Sequence, residues 1–245
     1  MKTHKTRKQM RSKELPLLTS TTSDASIAAG SRGEIDLAQY PTNTLENGLR
    51  NKGIRLVAGV DEVGRGPLAG PVVAAAIIMP QELTELWVPK IRDSKQLSAR
   101  RRHFLSDKIA SSAVSVGIAA ISNQVIDRVG IVRATNMAME EALACLDPRP
   151  EYALIDGRDH LDLGVPFETI VKGDETCFSI ACASIVAKVA RDNLMALLSD
   201  RFPGWGFAAH KGYPTLHHLR QLAALGPSSI HRLSYAPVAA WTARN

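Results

Sequence analysis

The order of hydrophobic and polar positions between residues 52 and 225 predicts a protein of the α/β class. Short apolar runs predict strands at residues 54–60, 71–79, 113–121, 152–156 and 165–171. Longer or more polar segments predict helices at residues 98–111, 122–128, 131–146, 176–201 and 215–225. This order of elements predicts a mixed sheet with helices packed on it.

The segments between these elements refine the prediction. The first two strands are joined by a short link, so we expect them to pair as an antiparallel hairpin. Ser98 is a suitable N-cap for the helix that follows it, and Gly226 with Pro227 ends the last predicted helix. Residues 203–214 predict a loop, and residues 228–245 predict an irregular or weakly helical segment.

Residues 1–50 differ in composition from the rest of the chain. They carry eight Lys and Arg and five Asp and Glu, and residues 19–31 contain few apolar side chains. Such a segment predicts a disordered basic extension, with the fold beginning near residue 52. It is either a solvated tail or an arm that binds phosphates without sequence preference. A mitochondrial presequence is a weaker alternative, because acidic residues interrupt the segment.

Composition narrows the class of protein. The chain has 245 residues, of which 45% are hydrophobic and 22% charged, as is typical of a soluble globular protein. The net charge of +6 favours an acidic partner such as nucleic acid. We expect no transmembrane helix and no secretory signal, and therefore a cytoplasmic protein. The three cysteines form no CxxC pair and are expected to be small core residues.

Acidic residues stand beside glycines at the ends of predicted elements. Asp61 and Glu62 follow the first strand, Asp156 ends the fourth, and Asp174 precedes the longest helix. Ligands gather at the carboxyl ends of strands in such sheets, so these side chains could converge. Carboxylates that lie together repel one another and require a cation, and their hard oxygen atoms suit Mg²⁺ or Mn²⁺.

Two alternatives to a metal site remain open for these acids. An arginine could pair with the adjacent carboxylates Asp61 and Glu62, because a carboxylate at the edge of an apolar core is costly without a partner. All four acids could also be separate N-caps, turn residues and salt-bridge partners.

Glycine and basic residues near the acids are candidates for binding nucleic acid. The amides of Gly64, Arg65 and Gly66 could donate to a 2′-hydroxyl or a phosphate, and Arg65 could hold a phosphate with two hydrogen bonds. A single Gly-Arg-Gly sequence is weak evidence, because turns use glycine for steric reasons. Its position two residues after Glu62 makes it a candidate for binding nucleic acid beside the acidic residues.

Further candidates lie toward the C-terminus. Ser184 and Lys188 share a helix face, and Lys188 could contact a phosphate. Tyr213 could stack on a base or sugar, and His231 with Arg232 adds positive charge. Each of these features taken alone is more often structural than functional.

Nine sequence motifs occur in one order along the predicted fold. They are GVDEVGRGPLAGPVV (59–73), DSKQLS (93–98), ATNMAME (134–140), IDG (155–157), KGD (172–174), ASIVAKVARD (183–192), FPGWGF (202–207), HKGYPT (210–215) and HRLSYAPV (231–238). Together they closely resemble bacterial ribonuclease HII, the type 2 ribonuclease H, over about residues 54–238. The departures are Cys182, Trp205 and Tyr235, where the family usually has Ala, Tyr and Phe.

This resemblance implies a ribonuclease H-like fold. Residues 51–200 would form the catalytic core, and residues 201–245 a C-terminal helical region packed on it. The implied activity is cleavage of the RNA strand of RNA–DNA hybrids and incision 5′ of single ribonucleotides in duplex DNA. The implied enzyme is a monomer that leaves 3′-hydroxyl and 5′-phosphate ends and uses Mg²⁺ or Mn²⁺, with a two-metal mechanism.

The resemblance also implies a role for each candidate residue. The metal-binding catalytic carboxylates would be Asp61, Glu62, Asp156 and Asp174, with Asp61 shared between two ions. The ribose-sensing element would be Gly64, Arg65 and Gly66, the stacking tyrosine Tyr213, and the phosphate contacts Ser184 and Lys188.

Two rival functions remain open from the sequence. One is a non-catalytic module that binds hybrids, although a pure binder would gain by losing four carboxylates near phosphate. The other is a metal-dependent nuclease of broader specificity, which would cut an all-DNA duplex as readily as one that contains a ribonucleotide.

Overall fold

A five-stranded mixed sheet organises the part of the chain that the structure describes, residues 40–158 and 163–244 of a computed structural model. The strands are β1 (Val57–Val63), β2 (Val72–Ile78), β3 (Ser115–Ile121), β4 (Tyr152–Asp156) and β5 (Phe167–Ile170). The helices are α1 (Thr44–Asn51), α2 (Ala99–Ser112), α3 (Asn123–Val129), α4 (Ile131–Ala144), α5 (Gly173–Thr176), α6 (Phe178–Arg201), α7 (Phe207–His210), α8 (Leu216–Leu225) and α9 (Ala236–Thr242).

The strand order across the sheet is β3-β2-β1-β4-β5. The pairs β1–β2 and β2–β3 are antiparallel, which confirms the predicted hairpin. The pairs β1–β4 and β4–β5 are parallel, and Val60 of β1 lies opposite Ile155 of β4 at the centre. The predicted α/β fold class, a mixed sheet flanked by helices, is therefore confirmed.

Helices cover both faces of the sheet. Val72 and Ala74 of β2 belong to the cluster that packs against α4. Ala75 and Ile77 belong to the opposite cluster, which packs against α2 and α6. Because successive side chains of a strand point to opposite faces, this double burial explains why β2 is apolar at every position.

The C-terminal helices pack against the turn that joins β1 to β2. Leu68 from this turn shares a cluster with Met195 of α6, Phe207 of α7 and Val238 of α9. Backbone bonds fix the same turn, since Leu68 donates to the carbonyl of Gly212 and accepts from the Arg232 amide, both at 2.8 Å. The region after α6 therefore supports the turn that follows the predicted acidic residues.

Helix α1 begins within residues 1–50, which we expected to be a disordered extension, and ends at Asn51. Its Glu46 is buried and accepts a hydrogen bond of 2.8 Å from the Ser179 amide at the start of α6. Its Leu49 joins a core cluster with Val57 and Leu154. Residues 44–51 therefore belong to the fold, through distant contacts that the local pattern does not reveal. The remainder of that expectation, residues 1–39, lies outside the described residues.

Other boundaries also differ from the predictions. Strand β1 continues to Val63, so Asp61 and Glu62 lie inside the strand rather than after it. The predicted loop 203–214 contains α7. The segment predicted to be irregular or weakly helical contains α9, which agrees with the helical alternative. Cys177 and Cys182 are buried, but Cys145 is exposed, so the prediction of three core cysteines is wrong for it. None of the helices within the described ranges is long and apolar enough to cross a membrane.

The packing of α6 on β1 depends on the missing side chain of Gly59. A Cβ atom at Gly59 would lie 2.1 Å from the backbone carbon of Ser179 and 2.4 Å from the Ile180 nitrogen. These are backbone atoms of α6, which cannot rotate away as a side chain could. The helix and strand can approach this closely only with glycine at the contact.

We predict that Gly59→Ala lowers the free energy of unfolding by about 1–3 kcal/mol or more, because the helix must move off the strand. Gly48→Ala is the matched control, since nothing lies within 4 Å of the added atom in helix α1. The control should be neutral or stabilising by up to about 1 kcal/mol. Urea unfolding followed by circular dichroism measures both, and equal stability of the two variants would contradict the close-contact interpretation.

Candidate active site

Two carboxylates meet at the carboxyl ends of the central parallel strands. Asp61 of β1 and Asp156 of β4 each follow the register pair Val60–Ile155, so they stand side by side on neighbouring strands. Asp61 is buried, and its Oδ1 accepts a hydrogen bond of 2.7 Å from the amide of Glu62. The convergence that the sequence predicted for these two acids is present in the structure.

The short helix α5 brings Asp174 to the same place. The amide of Gly173 donates to Asp156 Oδ1 at 2.7 Å, which ties the first turn of α5 to the end of β4. Asp174 follows Gly173 directly and is buried. Lys172, the residue before Gly173, has a left-handed backbone with φ of 57°. This conformation turns the chain from β5 into α5.

Lys95 supplies positive charge to the acidic group. Its Nζ lies 3.1 Å from Asp174 Oδ2 and 3.8 Å from Asp93 Oδ1. Burial alone would lower the pKa of the Lys95 ammonium, but its hydrogen bond with Asp174 and the charges of Asp174, Asp93 and Asp61 raise that pKa to about 12. Lys95 belongs to the DSKQLS motif, but the sequence analysis gave it no role, because a single lysine in a polar turn carries no signal of its target.

The electrostatics of the site favour proton or cation uptake. Burial raises the pKa of Asp61 well above its ordinary value, and the charges of Glu62, Asp156 and Asp174 raise it further. A hydrogen bond with Ser184 opposes this rise. Burial and the charge of Asp174 also raise the pKa of Asp156. The fold therefore holds these carboxylates together at a free-energy cost that a cation would remove.

The donor set fits a hard divalent cation. Within residues 40–158 and 163–244, no three acidic, histidine or cysteine side chains are already arranged to hold one metal ion. The chemistry of the donors nevertheless suits Mg²⁺ or Mn²⁺, because Asp61, Glu62, Asp156 and Asp174 present only carboxylate oxygens. Burial and the charges of Glu62, Asp156 and Asp174 raise the pKa of Asp61, so a bound cation would favour its ionised form.

The arginine alternative for the adjacent acids holds for only one of them. Arg65 Nη1 lies 3.4 Å from Glu62 Oε1, and the Arg65 side chain is half exposed. Asp61 faces the opposite side of β1, toward α6, where Ser184 is its neighbour. Glu62 therefore has an arginine partner, whereas Asp61 accepts hydrogen bonds from the Glu62 amide and from Ser184.

The predicted binding residues line one cleft beside the acids. The cleft has a volume of about 390 Å³ and is lined by Asp61, Glu62, Val63, Gly64, Arg65, Gly66, Ser94, Lys95, Asp156, Ser184, Lys188 and Tyr213. Nine of the ten residues to which the sequence resemblance gave a role are in this lining. Asp174, the tenth, reaches the same group through Lys95.

The side chains of α6 at the cleft are already engaged. Ser184 is buried and its hydroxyl lies 2.9 Å from that of Ser94. Lys188 Nζ donates to Asp192 Oδ1 at 2.8 Å and lies 6.0 Å from the ring centroid of Tyr213. Lys188 is therefore held at the cleft wall beside an aromatic ring that is 38% exposed.

Two buried arginines support the cleft, a role that the sequence assigned to neither of them. Arg191 of α6 donates to the carbonyls of Pro71, Ala69 and Lys211, at 3.0, 3.3 and 3.0 Å. Arg232 donates to carbonyls of the same β1–β2 turn and is fully buried.

His231 and Arg232, which the sequence offered as positive charge near the C-terminus, follow the structural alternative that was left open for them. Both are buried, and burial lowers the pKa of His231 to about 4, so it is neutral near pH 7. Only the apolar surroundings, created by chain segments distant in sequence, distinguish these residues from surface cations.

Comparison with known proteins adds independent evidence. The family model described as Ribonuclease HII matches residues 58–238. Ribonuclease HII from Dehalococcoides mccartyi (strain BAV1) is 48% identical over 198 residues, which cover 81% of this chain and 93% of the relative. Ribonuclease HII from Geobacter sulfurreducens is 49% identical over 193 residues, covering 79% of this chain and 88% of the relative.

A solved structure gives the same result for the fold. The ribonuclease H2 of Pyrococcus horikoshii OT3 superimposes with a TM-score of 0.65 at 25% identity, covering 77% of this chain and 97% of that one. This match confirms the ribonuclease H-like fold that the sequence resemblance implied. The matched motifs, the fold and the convergent carboxylates agree, and the chain belongs to the ribonuclease HII family, the type 2 ribonucleases H.

Proposed function

We propose that this protein is a metal-dependent endoribonuclease that hydrolyses the RNA strand of RNA–DNA hybrids. It also incises 5′ of single ribonucleotides embedded in duplex DNA and leaves 3′-hydroxyl and 5′-phosphate ends. The observation that carries the proposal is the convergence of Asp61, Glu62, Asp156 and Asp174 beside the Gly64–Gly66 turn. Acidic groups for the chemistry and amide donors for a ribose then lie in one cleft.

We assign Asp61, Glu62, Asp156 and Asp174 as the residues that hold Mg²⁺ or Mn²⁺. Two such ions, when bound, would supply Lewis-acid stabilisation of the charge that develops on the phosphate. Lys95 holds the Asp174 carboxylate by a charged hydrogen bond of 3.1 Å. The Gly173 amide fixes the orientation of Asp156 in the same way.

The remaining cleft residues bind and orient the nucleic acid in this proposal. Arg65, half exposed beside Glu62, is placed to contact a phosphate. Lys188 would contact a second phosphate, and the hydroxyl of Ser184 lies next to it on the helix face. The amides of the Gly64–Gly66 turn would donate to the ribose 2′-hydroxyl, and Tyr213 would stack on the sugar or base beside it.

The net charge of the protein and the amides of the Gly64–Gly66 turn indicate a nucleic acid that contains ribose as the substrate. The net charge of +6 favours nucleic acid as the partner. We propose that the protein acts as a monomer in the cytoplasm. Requirement for a 2′-hydroxyl separates this proposal from a nuclease of broader specificity. Hydrolysis itself separates it from a module that only binds hybrids.

We predict that Asp174→Asn abolishes nicking of a duplex with one ribonucleotide in Mg²⁺, because an amide is a neutral and weaker ligand. Binding of the same duplex should remain close to that of wild type. Asp200→Asn is the matched control, since it removes an exposed charge from the end of α6 and should keep full activity. Gel electrophoresis of an end-labelled duplex gives the nicking rate. Equal nicking by wild type and Asp174→Asn would overturn the proposed role of the carboxylates.

We predict a single cut on the 5′ side of one labelled ribonucleotide, and no cut in the matched all-DNA duplex. The 2′-hydroxyl is the only difference between the two substrates, so the result reports directly on ribose recognition. The cut position is mapped against a size ladder, first in Mg²⁺ and then in Mn²⁺. Equal cleavage of both duplexes would favour the nuclease of broader specificity.

We predict that Asp61→Asn raises the melting temperature in EDTA at pH 8. The pKa of Asp61 is raised in the folded state, so the folded protein binds this proton more tightly than the unfolded chain. Ionised Asp61 therefore destabilises the fold fully above its folded-state pKa. This effect declines as the pH falls from the folded-state pKa to the unfolded-state pKa, below which it is absent. The gain from Asp61→Asn should shrink accordingly toward pH 4.

Metal binding provides the complementary measurement on the same pair of proteins. Mg²⁺ or Mn²⁺ should raise the melting temperature of wild type, because an ion that binds only the folded state stabilises it. Either ion should raise the melting temperature of Asp61→Asn by a smaller amount. A variant that melts below wild type in EDTA at pH 8 would contradict the repulsion on which the metal assignment depends.

A further inference from the structure

We propose that Arg232 is a positioning residue that sets the specificity for ribonucleotides. It holds two successive peptide groups of the Gly64–Gly66 turn so that their amides face the cleft. The inference rests on the proposed function, since it assumes that this turn reads the ribose. It goes further by proposing that the segment before α9 orients the amides that contact the ribose.

The Arg232 guanidinium is committed entirely to one side of the β1–β2 turn and to Tyr235. Its Nε and Nη2 donate to the Gly70 carbonyl at 3.0 and 2.9 Å. Its Nη2 also donates to the Gly64 carbonyl at 2.6 Å, and its Nη1 to the Arg65 carbonyl at 2.9 Å. With the bond from Nη1 to the Tyr235 hydroxyl at 2.9 Å, all five N–H groups are used.

This arrangement is unusual for a charged side chain. Arg232 is fully buried, and its five hydrogen bonds all go to neutral oxygen atoms. Burial of a guanidinium is costly unless its donors are satisfied. The compensation comes from backbone carbonyls of a single turn, so the same bonds that stabilise Arg232 also fix the conformation of that turn.

Peptide planarity converts these carbonyl contacts into an orientation of the amides. The peptide bonds after Gly64 and Arg65 are trans, so each carbonyl and the following N–H point in opposite directions. Because both carbonyls point at Arg232, the amides of Arg65 and Gly66 point away from it. Neither amide donates to an acceptor within residues 40–158 and 163–244, and both residues line the cleft.

Tyr235 adds a second hold on the same peptide group. Its hydroxyl donates to the Arg65 carbonyl at 2.6 Å while it accepts from Arg232. The Arg65 carbonyl, which orients the Gly66 amide, therefore accepts from both Arg232 and Tyr235. The Tyr235 hydroxyl can be removed without removing a buried charge.

A matched control lies one residue earlier. The hydroxyl of Ser234 donates to Asp127 Oδ1 at 2.5 Å, and Asp127 also accepts from the amides of Leu233 and Ser234. Ser234→Ala and Tyr235→Phe each remove one hydroxyl from the same segment. Only the Tyr235 hydroxyl contacts the turn, so only its loss should affect ribose recognition.

The experiment measures binding selectivity in full-length protein that carries Asp174→Asn, so that the substrate is not consumed. Fluorescence anisotropy in Mg²⁺ gives the Kd for a duplex with one ribonucleotide and for the same duplex in all DNA. The selectivity is the ratio of these two values. Thermal unfolding of each variant is recorded in parallel, so that a loss of stability is separated from a change of selectivity.

We expect Tyr235→Phe to reduce the selectivity by about two- to tenfold, the effect of one hydrogen bond. Arg232→Lys should reduce it further, because one ammonium cannot hold both carbonyls. The Kd for all-DNA duplex should change little in either variant. Ser234→Ala should keep the wild-type ratio, and Lys188→Ala should weaken binding of both duplexes equally, as expected for a phosphate contact.

The outcomes separate this inference from the proposed function. If the parent protein binds both duplexes equally, ribose reading by the turn is refuted, and the role of Arg232 with it. If the parent prefers the ribonucleotide and Tyr235→Phe keeps the full preference, the positioning inference alone is overturned. The positioning inference is also overturned if Arg232→Lys folds and keeps the full preference for the ribonucleotide. Should Arg232→Lys fail to fold, Tyr235→Phe decides the question.

Discussion

Repulsion among carboxylates at the ends of two parallel strands is the constraint on which the rest of the structure depends. Asp61 and Asp156 stand side by side because β1 and β4 are neighbours in register, and α5 delivers Asp174 to the same point. Burial and these mutual charges raise the pKa of Asp61 well above its ordinary value. The fold must therefore be stable enough elsewhere to hold the acids together, which is a common property of sites designed to bind cations.

The apolar layers on both faces of the sheet supply that stability. Helix α6 is the main element on one face, and it approaches β1 so closely that Gly59 has no room for a side chain. The same helix carries Ser184 and Lys188 to the cleft and buries Arg191 beneath the β1–β2 turn. A single long helix thus joins the core to the site, so the position of the cleft residues is set by core packing.

The residues proposed for the chemistry and those proposed for recognition lie on different parts of the fold. The acids lie on strands and a short helix whose backbone bonds are made within the sheet and its connections. The β1–β2 turn has no such ladder, and buried guanidinium groups donate hydrogen bonds to several of its carbonyls. Arg232 and Arg191 donate to the Gly64 and Ala69 carbonyls of this turn. Rigid backbone donors of this kind give selectivity because they cannot adapt to a ligand that lacks the matching acceptor.

The family relationship and the geometry of the cleft support each other. The relatives that match most of the chain are named ribonuclease HII, and the described residues place the matched acids at one strand edge. Fold alone would not identify an activity, because one fold carries many functions. The conjunction of an acidic group and a backbone-donor turn in one cleft gives the functional proposal its physical content.

The amino-acid sequence by itself determined the α/β class, the five strands, the antiparallel hairpin and the acidic residues at the strand ends. These follow from local periodicity and from turn residues, which act over a few positions. The motifs also identified Gly64, Arg65, Gly66 and Tyr213 as a group, and the cleft contains all four.

Only the tertiary structure decided which charged residues are buried and what they contact. Helix α1 was missed because Glu46 and Leu49 are held by residues more than a hundred positions away or on another strand. Lys95 gained its role by reaching Asp174, and Arg232, which the sequence offered as positive charge, is a buried support of the turn. A charged residue has the same local pattern in either setting, and its environment is created by segments that meet only when the chain folds.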